Sequence, residues 1–310
     1  MISFIIRRVL QAFPTLLAVV IVIFFLLNIM PGDAALLKGS ARTKSNPELV
    51  AKIRERWGLD DPLPIRFLRY AGNLARGNFG YSIMRDEPVV DLLKERIVPT
   101  GKLVVLAILI AMAVGLSFGF TAAVKTGGPL DTLVTAGAVM GKSLPNFWLG
   151  LMLMLLMGVK LGWLPTIGYG GGDLKHLLLP AISLGIPYAA LIARTARGSV
   201  LDLIHEDYIR TARAKGLSEW VVRFKHIFAN AIPPVITIIG LQFGTLLANT
   251  VVIEKVFVLP GIGTLLIDSI YARDIQVVQA VVLAIALSFI VINLLVDLSY
   301  GYVDPRIKYD

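Results

Sequence analysis

The chain has 310 residues, 56% of them hydrophobic and only 16% charged, and carries a net charge of +9 from 30 Lys and Arg against 21 Asp and Glu. Soluble domains average about 45–50% apolar and about 25% charged residues, so this composition excludes an ordinary soluble enzyme and points to an integral membrane protein. The absence of cysteine removes disulfides, thiolate nucleophiles and cysteine-ligated metals, and the basic excess reads as Lys and Arg gathered in cytoplasmic loops, not as a nucleic-acid surface.

Arg7 and Arg8 precede an apolar run from Val9 to Met30. A spanning helix needs roughly 20 such residues and a signal-peptide core only about 7–15. Residues 1–30 are therefore expected to be a cytoplasmic N-terminus and an uncleaved first span. Residues 31–99 mix charges of both signs with Pro, Gly and aromatics. Leu49, Ile53 and Trp57 fall at helical spacing, Ile65, Leu68 and Ala71 mark a second short helix, and Pro88 to Ile97 a third. This predicts a small helical domain outside the membrane.

Residues 100–303 are expected to form the transmembrane core. Its apolar runs lie at 103–124, at 133–159 with a break near Lys142-Ser143-Leu144-Pro145, at 177–193 with Pro180 and Pro187 inside, at 234–253 and at 277–300. A polar loop occupies 194–233, a mixed outer loop 254–276, and a tail 304–310. Six spans put both termini on one side. Arg7, Arg8, Lys125, Arg194, Arg197, Arg306 and Lys308 then share that side, which the distribution of positive charge makes the cytoplasm.

The polar stretch from Ser199 to Pro234 is the longest interruption in the C-terminal half. Ser199 and Asp202 form a capping-box pattern that would open a helix. Leu201, Ile204, Tyr208 and Ala212 would line its apolar face, and Gly216 supplies a left-handed stop. Ser218 would cap a second helix with Val221, Val222, Ile227 and Phe228 as its apolar residues. A structured charged loop at this position is read as a docking element, with the basic segment Arg210-Thr211-Ala212-Arg213-Ala214-Lys215 at its tip.

No catalytic constellation competes with that reading. Gly137-Ala-Val-Met-Gly141-Lys142-Ser143 approaches a phosphate-binding loop but has three residues between its glycines where four are needed, and it lies in an apolar helical run. Asp202, His205 and Glu206 share one helix face that could hold a metal, yet a solvated face accounts for them. No Ser/His/Asp set is recognisable by spacing. Asn146, Gln242 and Asn249 are polar residues in or beside apolar runs; they are candidates for a translocation path, with helix-packing hydrogen bonds as the bland alternative for each. Acids inside the apolar runs are scarce, which leaves a proton-driven secondary transporter with little to work with.

Several motifs together resemble the first, B-type inner-membrane permease of the dipeptide/oligopeptide/nickel ABC-transporter family. They are Pro31-Gly-Asp33, Gly58-Leu-Asp-Asp-Pro62, Gly77-Asn-Phe-Gly80 with Ser82, and Phe147-Trp-Leu-Gly150. Leu161-Gly-Trp-Leu-Pro165, the run from Asp207 to Ser218, Asn230-Ala-Ile-Pro233, Val256 to Gly263, Arg273-Asp274 and Asp304-Pro-Arg306 complete the set. The resemblance implies an all-α membrane protein with the six-helix type I importer permease fold, with residues 31–99 as a small periplasmic helical domain. It implies a bacterial or archaeal cytoplasmic-membrane location and no catalytic role. A second related permease would complete the path as a heterodimer. Two cytoplasmic ATPases would use ATP and Mg²⁺, which this chain would not bind directly, and a periplasmic or lipid-anchored binding protein would deliver the solute. Peptides are the leading cargo, with glutathione, nickel chelates, opines or oligosaccharides as alternatives. The polar loop is similar to an EAA coupling loop: aligned on Gly216, its Glu-Ala-Ala positions fall on Arg210-Thr211-Ala212, of which Ala212 matches. The coupling residues implied are Asp207, Tyr208, Arg210, Thr211, Ala212, Arg213, Ala214, Lys215 and Gly216.

Overall fold

The structure, a computed structural model, describes residues 2–29, 61–82 and 84–303. The expected helix near 47–57 and the motifs at 31–33 and 304–306 lie outside those residues. Regular structure among the described residues is helical apart from an isolated antiparallel bridge between Tyr81 and Pro88. The helices are α1 (Ile2–Ile29), α2 (Leu63–Ala75), α3 (Val89–Val124), α4 (Pro129–Ser143), α5 (Asn146–Lys160), α6 (Leu174–Ile204), α7 (Asp207–Ala214), α8 (Glu219–Val256), α9 (Ile262–Tyr271) and α10 (Ile275–Val303).

Five of these, α1, α3, α6, α8 and α10, are long and apolar enough to cross a membrane. At about 1.5 Å rise per residue, the 36 residues of α3, 31 of α6 and 38 of α8 exceed the roughly 20 that a bilayer core requires. The apolar stretch at 133–159 is divided between α4 and α5. Leu144 sits in extended backbone between them, as the residue before a proline must when the ring crowds the helical conformation. The near-miss phosphate loop at 137–143 is plain helix within α4.

The helix expected to open at Ser199 does not do so, because α6 runs unbroken from Leu174 to Ile204. The N–H groups that Ser199 would cap already have carbonyl partners one turn back, so a capping pattern inside a helix has no orphan donor to satisfy. The break comes instead at His205 and Glu206, and Glu206 adopts extended backbone ahead of α7.

The chain forms two compact units, Met1–Val98 with Gly261–Ile290, and Pro99–Pro260 with Val291–Asp310. In the first, Val89 and Leu92 of α3 pack with Ile262 and Leu265 of α9 and Val277, Ala280 and Val281 of α10. A loop at 77–88 is pinned to the start of α10. Ser82 Oγ donates to Asp274 Oδ2 at 2.5 Å, the Met84 N–H donates to the same oxygen at 3.2 Å, and the Tyr81 N–H donates to Gln276 Oε1 at 2.8 Å. Two of the motif pairs read from sequence, Gly77–Ser82 and Arg273-Asp274, thus meet across 192 residues. Ser82 and Asp274 are 0% and 2% exposed. Asp274→Ala leaves the buried Ser82 hydroxyl without this acceptor, a loss of about 1–3 kcal/mol, and frees the part-buried Met84 N–H. The purified variant is expected to melt earlier, and to expose the 77–88 loop to protease, while Asp274→Asn, which keeps an acceptor oxygen, loses less.

In the second unit α3 and α6 approach closely through small residues. A Cβ on Gly185 would come within 2.6 Å of the Ala107 carbonyl oxygen, and one on Gly119 would overlap the Ala193 backbone. Membrane helices lack a hydrophobic drive to associate and rely on such van der Waals contact. Ala111, Ala189, Ile192, Ala196 and Val235 form the core between α3, α6 and α8.

Candidate functional site

The candidate site is built on α7 and the turn that follows it. The sequence Asp207-Tyr-Ile-Arg-Thr-Ala-Arg-Ala214 makes two helical turns with an acid in the first and a base in the last, the order that complements the helix dipole. Its end is fixed by Gly216 at φ +76°, a conformation costly for any residue with a Cβ. The Leu217 N–H donates to the Ala212 carbonyl at 3.3 Å and the Gly216 N–H to the Arg213 carbonyl at 3.0 Å, the paired bonds of a Schellman stop. The chain then reverses into α8, whose residues Val222–Phe228 form a π-helical segment.

One face of α7 is seated and the other is open. Ile209 is fully buried and Ala212 is 7% exposed. Both pack with Ala123 of α3, Val200 of α6, and Val222, Ile227 and Ala231 of α8. Phe120 closes that core, its ring 5.5–5.6 Å from those of Phe228 and Phe224. Asp207, Arg210, Thr211, Arg213, Ala214, Lys215 and Gly216 face outward. The Arg210 side chain is 84% exposed and pairs at 4.0 Å with the equally open Asp207 carboxylate, a solvated contact of the kind that contributes little. Arg213 differs. Its Nε donates to Glu219 Oε1 at 2.8 Å, and Arg223 reaches the other oxygen at 3.4 Å. The Arg213 hydrogen bond, with the charges of both arginines, holds the Glu219 carboxyl below its ordinary range. Arg213 therefore braces the turn between α7 and α8, whereas Arg210 and Lys215 project from its outer face.

Counting from Leu201 through Ile204 puts Tyr208 on the apolar face. It is 41% exposed, and its hydroxyl donates to the His226 carbonyl at 3.3 Å. The helical phase resets at the His205-Glu206 break, so a periodicity counted across it selects the wrong face. The true inward pair is Ile209 and Ala212, and Ile209 was missed for this reason.

The path candidates separate. Gln242 and Tyr188 line a small crevice of about 20 Å³ with Ile108, Ala111, Ile192 and Leu246. A single buried water needs roughly 10–15 Å³, so the crevice is small, on the scale of a water. Asn249 Nδ2 donates to the Tyr188 hydroxyl at 3.0 Å, one step back from the crevice. Asn146 starts α5 and is half-buried, away from that lining. Besides Asp274, two acids are buried near helix ends among the described residues. Glu254, expected in the outer loop, lies in the last turns of α8, is 0% exposed and accepts from Thr100 Oγ1 at 2.5 Å. Asp131, at the start of α4, is 7% exposed. Among the described residues no three His, Cys, Asp or Glu side chains gather as a metal site.

Membrane-length helices, with one face of a short charged helix sunk into their shared core, define a multi-pass transmembrane protein. The chain belongs to the family described as binding-protein-dependent transport system inner membrane components: residues 115–309 match that family, and residues 1–104 match its N-terminal companion. It is therefore a multi-pass inner-membrane protein and a permease subunit of a binding-protein-dependent ABC importer. It is 41% identical to a probable peptide ABC transporter permease protein, y4tP, of Sinorhizobium fredii, over 99% of each chain. It is 42% identical to the glutathione transport system permease protein GsiC of Salmonella typhimurium and of Escherichia coli K12, over 100% of each. Among solved structures, an inward-facing form of the MetNI methionine ABC transporter matches 69% of this chain and 96% of its own with a TM-score of 0.59 at 20% identity, a likeness of fold.

Proposed function

We propose that this chain forms half of the path of a peptide importer and that α7 is where partner ATPases drive it. The observation that carries the reading is the two-sidedness of α7: Ile209 and Ala212 are locked into the core of three long helices, while Arg210, Thr211, Ala214 and Lys215 face outward. A push on the outer face is delivered to α3, α6 and α8 together. The chain contributes a lever and a wall of the path, and the chemistry of ATP and Mg²⁺ belongs to the partners. The small crevice at Gln242 fits half of a path that a second, related permease would complete. In this reading α4 and α5 together make the third of six crossings, both termini are cytoplasmic, and residues 31–99 face a solute-binding protein on the other side. Relatives named for peptides and for glutathione, itself a tripeptide, favour cargo of that chemical class.

The test is a complex of this chain with its neighbouring permease, ATPases and binding protein in liposomes, measured for ATP-driven uptake of labelled dipeptides, oligopeptides and glutathione. Arg210→Glu and Ala214→Glu place charge on the outward face without touching the core. They are expected to strip the ATPases from the purified complex and stop uptake. Normal ATPase retention and uptake in both variants would sink the docking role, and absence of uptake for every peptide offered would sink the cargo class.

A further inference from the structure

One contact stands beside the seat of α7 and is not explained by it. Arg197 of α6 grips Asp131 of α4 with two prongs: Nε donates to Oδ1 at 2.5 Å and Nη2 to Oδ2 at 2.9 Å. The carboxylate is 9% exposed and the guanidinium 27%. Asp131 Oδ2 also accepts the Gly127 N–H at 3.0 Å. One carboxylate therefore joins the turn between α3 and α4, the first turn of α4, and the end of α6. Exposed single-point ion pairs contribute little. A shielded, two-pronged Arg–carboxylate pair is both stronger and directional, and so fixes the relative orientation of what it joins.

Its place along α6 gives that orientation a use. Arg197 lies one helical turn before Val200, which touches Ile209 and Ala212 in the seat of α7, and Gly127 lies one turn after Ala123, which belongs to the same core. On its other side α6 contains Pro187 and Pro180. Each proline removes a helical hydrogen bond and crowds the preceding turn, which makes that stretch the compliant part of α6. A displacement entering at α7 could be absorbed as bending at Pro187. A clasp between α7 and Pro187 that ties α6 to α4 prevents this.

We propose that Asp131 and Arg197 are positioning residues for coupling: they make α4, the 125–128 turn and α6 move as one body, so that force entering at α7 shifts the path helices instead of bending α6. This rests on the reading of α7 as the ATPase contact. Arg197 holds the Asp131 carboxyl down to about 2. A lowered pKa stabilises the fold above the unfolded value near 4 and loses that stabilisation only as pH falls toward 2. The clasp is thus fully charged from pH 5 to 8, and coupling through it is expected to be flat over that range.

The experiment uses the assembled complex in liposomes with its binding protein and a transported peptide, and reads uptake per ATP hydrolysed. Asp131→Asn and Arg197→Gln are expected to assemble and hydrolyse ATP while uptake per ATP falls roughly tenfold, within the usual range of coupling energies. The exchanged pair, Asp131→Arg with Arg197→Asp, is expected to regain much of that loss. Spin labels at exposed Leu133 and Arg194 should hold one separation through the ATP cycle in the parent protein and spread in Asp131→Asn. A parent ratio in both single variants overturns the proposal, as does uptake that falls only in proportion to assembled complex. Failure of both single variants and the exchanged pair to assemble makes the contact a folding element and overturns it equally. Ala214→Glu is run alongside. If it leaves ATPase binding and uptake intact, the docking role of α7 fails, whatever the clasp variants do. If it strips the ATPases while uptake per ATP is normal in Asp131→Asn, only the clasp fails.

Discussion

Ile209→Asp is expected to leave no assembled transporter. Ile209 is 0% exposed and is surrounded by Val200, Val222 and Ile227, each at most 1% exposed. Truncating such a side chain costs about 2–5 kcal/mol. Placing a carboxylate there adds the cost of an unpaired buried charge, for a total of roughly 5 kcal/mol or more. That is comparable to the whole stability of many domains. The damage is local in origin: α7 leaves its seat, and with it the surface offered to a partner. Asp at Ala214, two residues before the same Gly216 stop but facing outward, should leave the chain's melting temperature unchanged and act only on ATPase retention. The pair of variants is separated by heating the purified chain alone and following its elution by size exclusion, then repeating the capture of ATPases. If Ile209→Asp melts with the parent chain, the seat described for α7 is wrong. The same logic moves a charge at Ala212 from a test of docking to a test of folding, because its methyl is turned into the core.

What could be read from sequence divides by the range of the interactions. Gly216 was legible because a left-handed residue between two short helical patterns has few substitutes, and its φ of +76° is the property that the pattern encodes. Helix-forming apolar runs were legible because membrane spans need length and lack charge. The end of α6 was not legible. Gly198 offers a stop and Ser199 a cap, but a cap matters only where the ladder ends, and the helix runs through both to Ile204. That misplaced start carried the apolar face one residue off at Tyr208 and hid Ile209. A charge after Val251-Val252-Ile253 reads as the end of a span, which puts Glu254 in a loop. The helix runs on to Val256, and the Glu254 carboxyl finds Thr100 in the folded chain. Asp131 and Arg197 are the plainest case: each reads as a cytoplasmic charge at the end of a span, and nothing local records that 66 residues apart they meet. Ser82 and Asp274 were each seen as motif residues, and only the fold brings them together.

Gly119→Ala and Gly198→Ala are expected to change stability in opposite directions, although each adds one methyl to a helix interior. In an exposed or roomy helix position, Ala is favoured over Gly by about 0.5–1 kcal/mol because the unfolded chain has less freedom to lose. Gly198 meets that condition: a Cβ there has no neighbour within 4 Å. At Gly119 the added methyl would fall on the backbone of Ala193, with the Ala193 carbonyl oxygen and Cα both inside van der Waals range. Backbone cannot rotate away as a side-chain tip can, so α3 and α6 must separate, and overpacking of this kind costs about 1–3 kcal/mol. The separation would also act at a distance. Ala193 lies one turn before Arg197, and Gly119 one turn before Ala123, so the strain enters the two strands of structure that the Asp131 clasp and the seat of α7 share. Gly119→Ala should therefore lower the melting temperature of the chain and the uptake per ATP of the complex together, while Gly198→Ala raises the first and leaves the second alone. Equal shifts for the two variants would mean that α3 and α6 do not meet through Gly119, and that the rigid path from α7 into the membrane runs elsewhere.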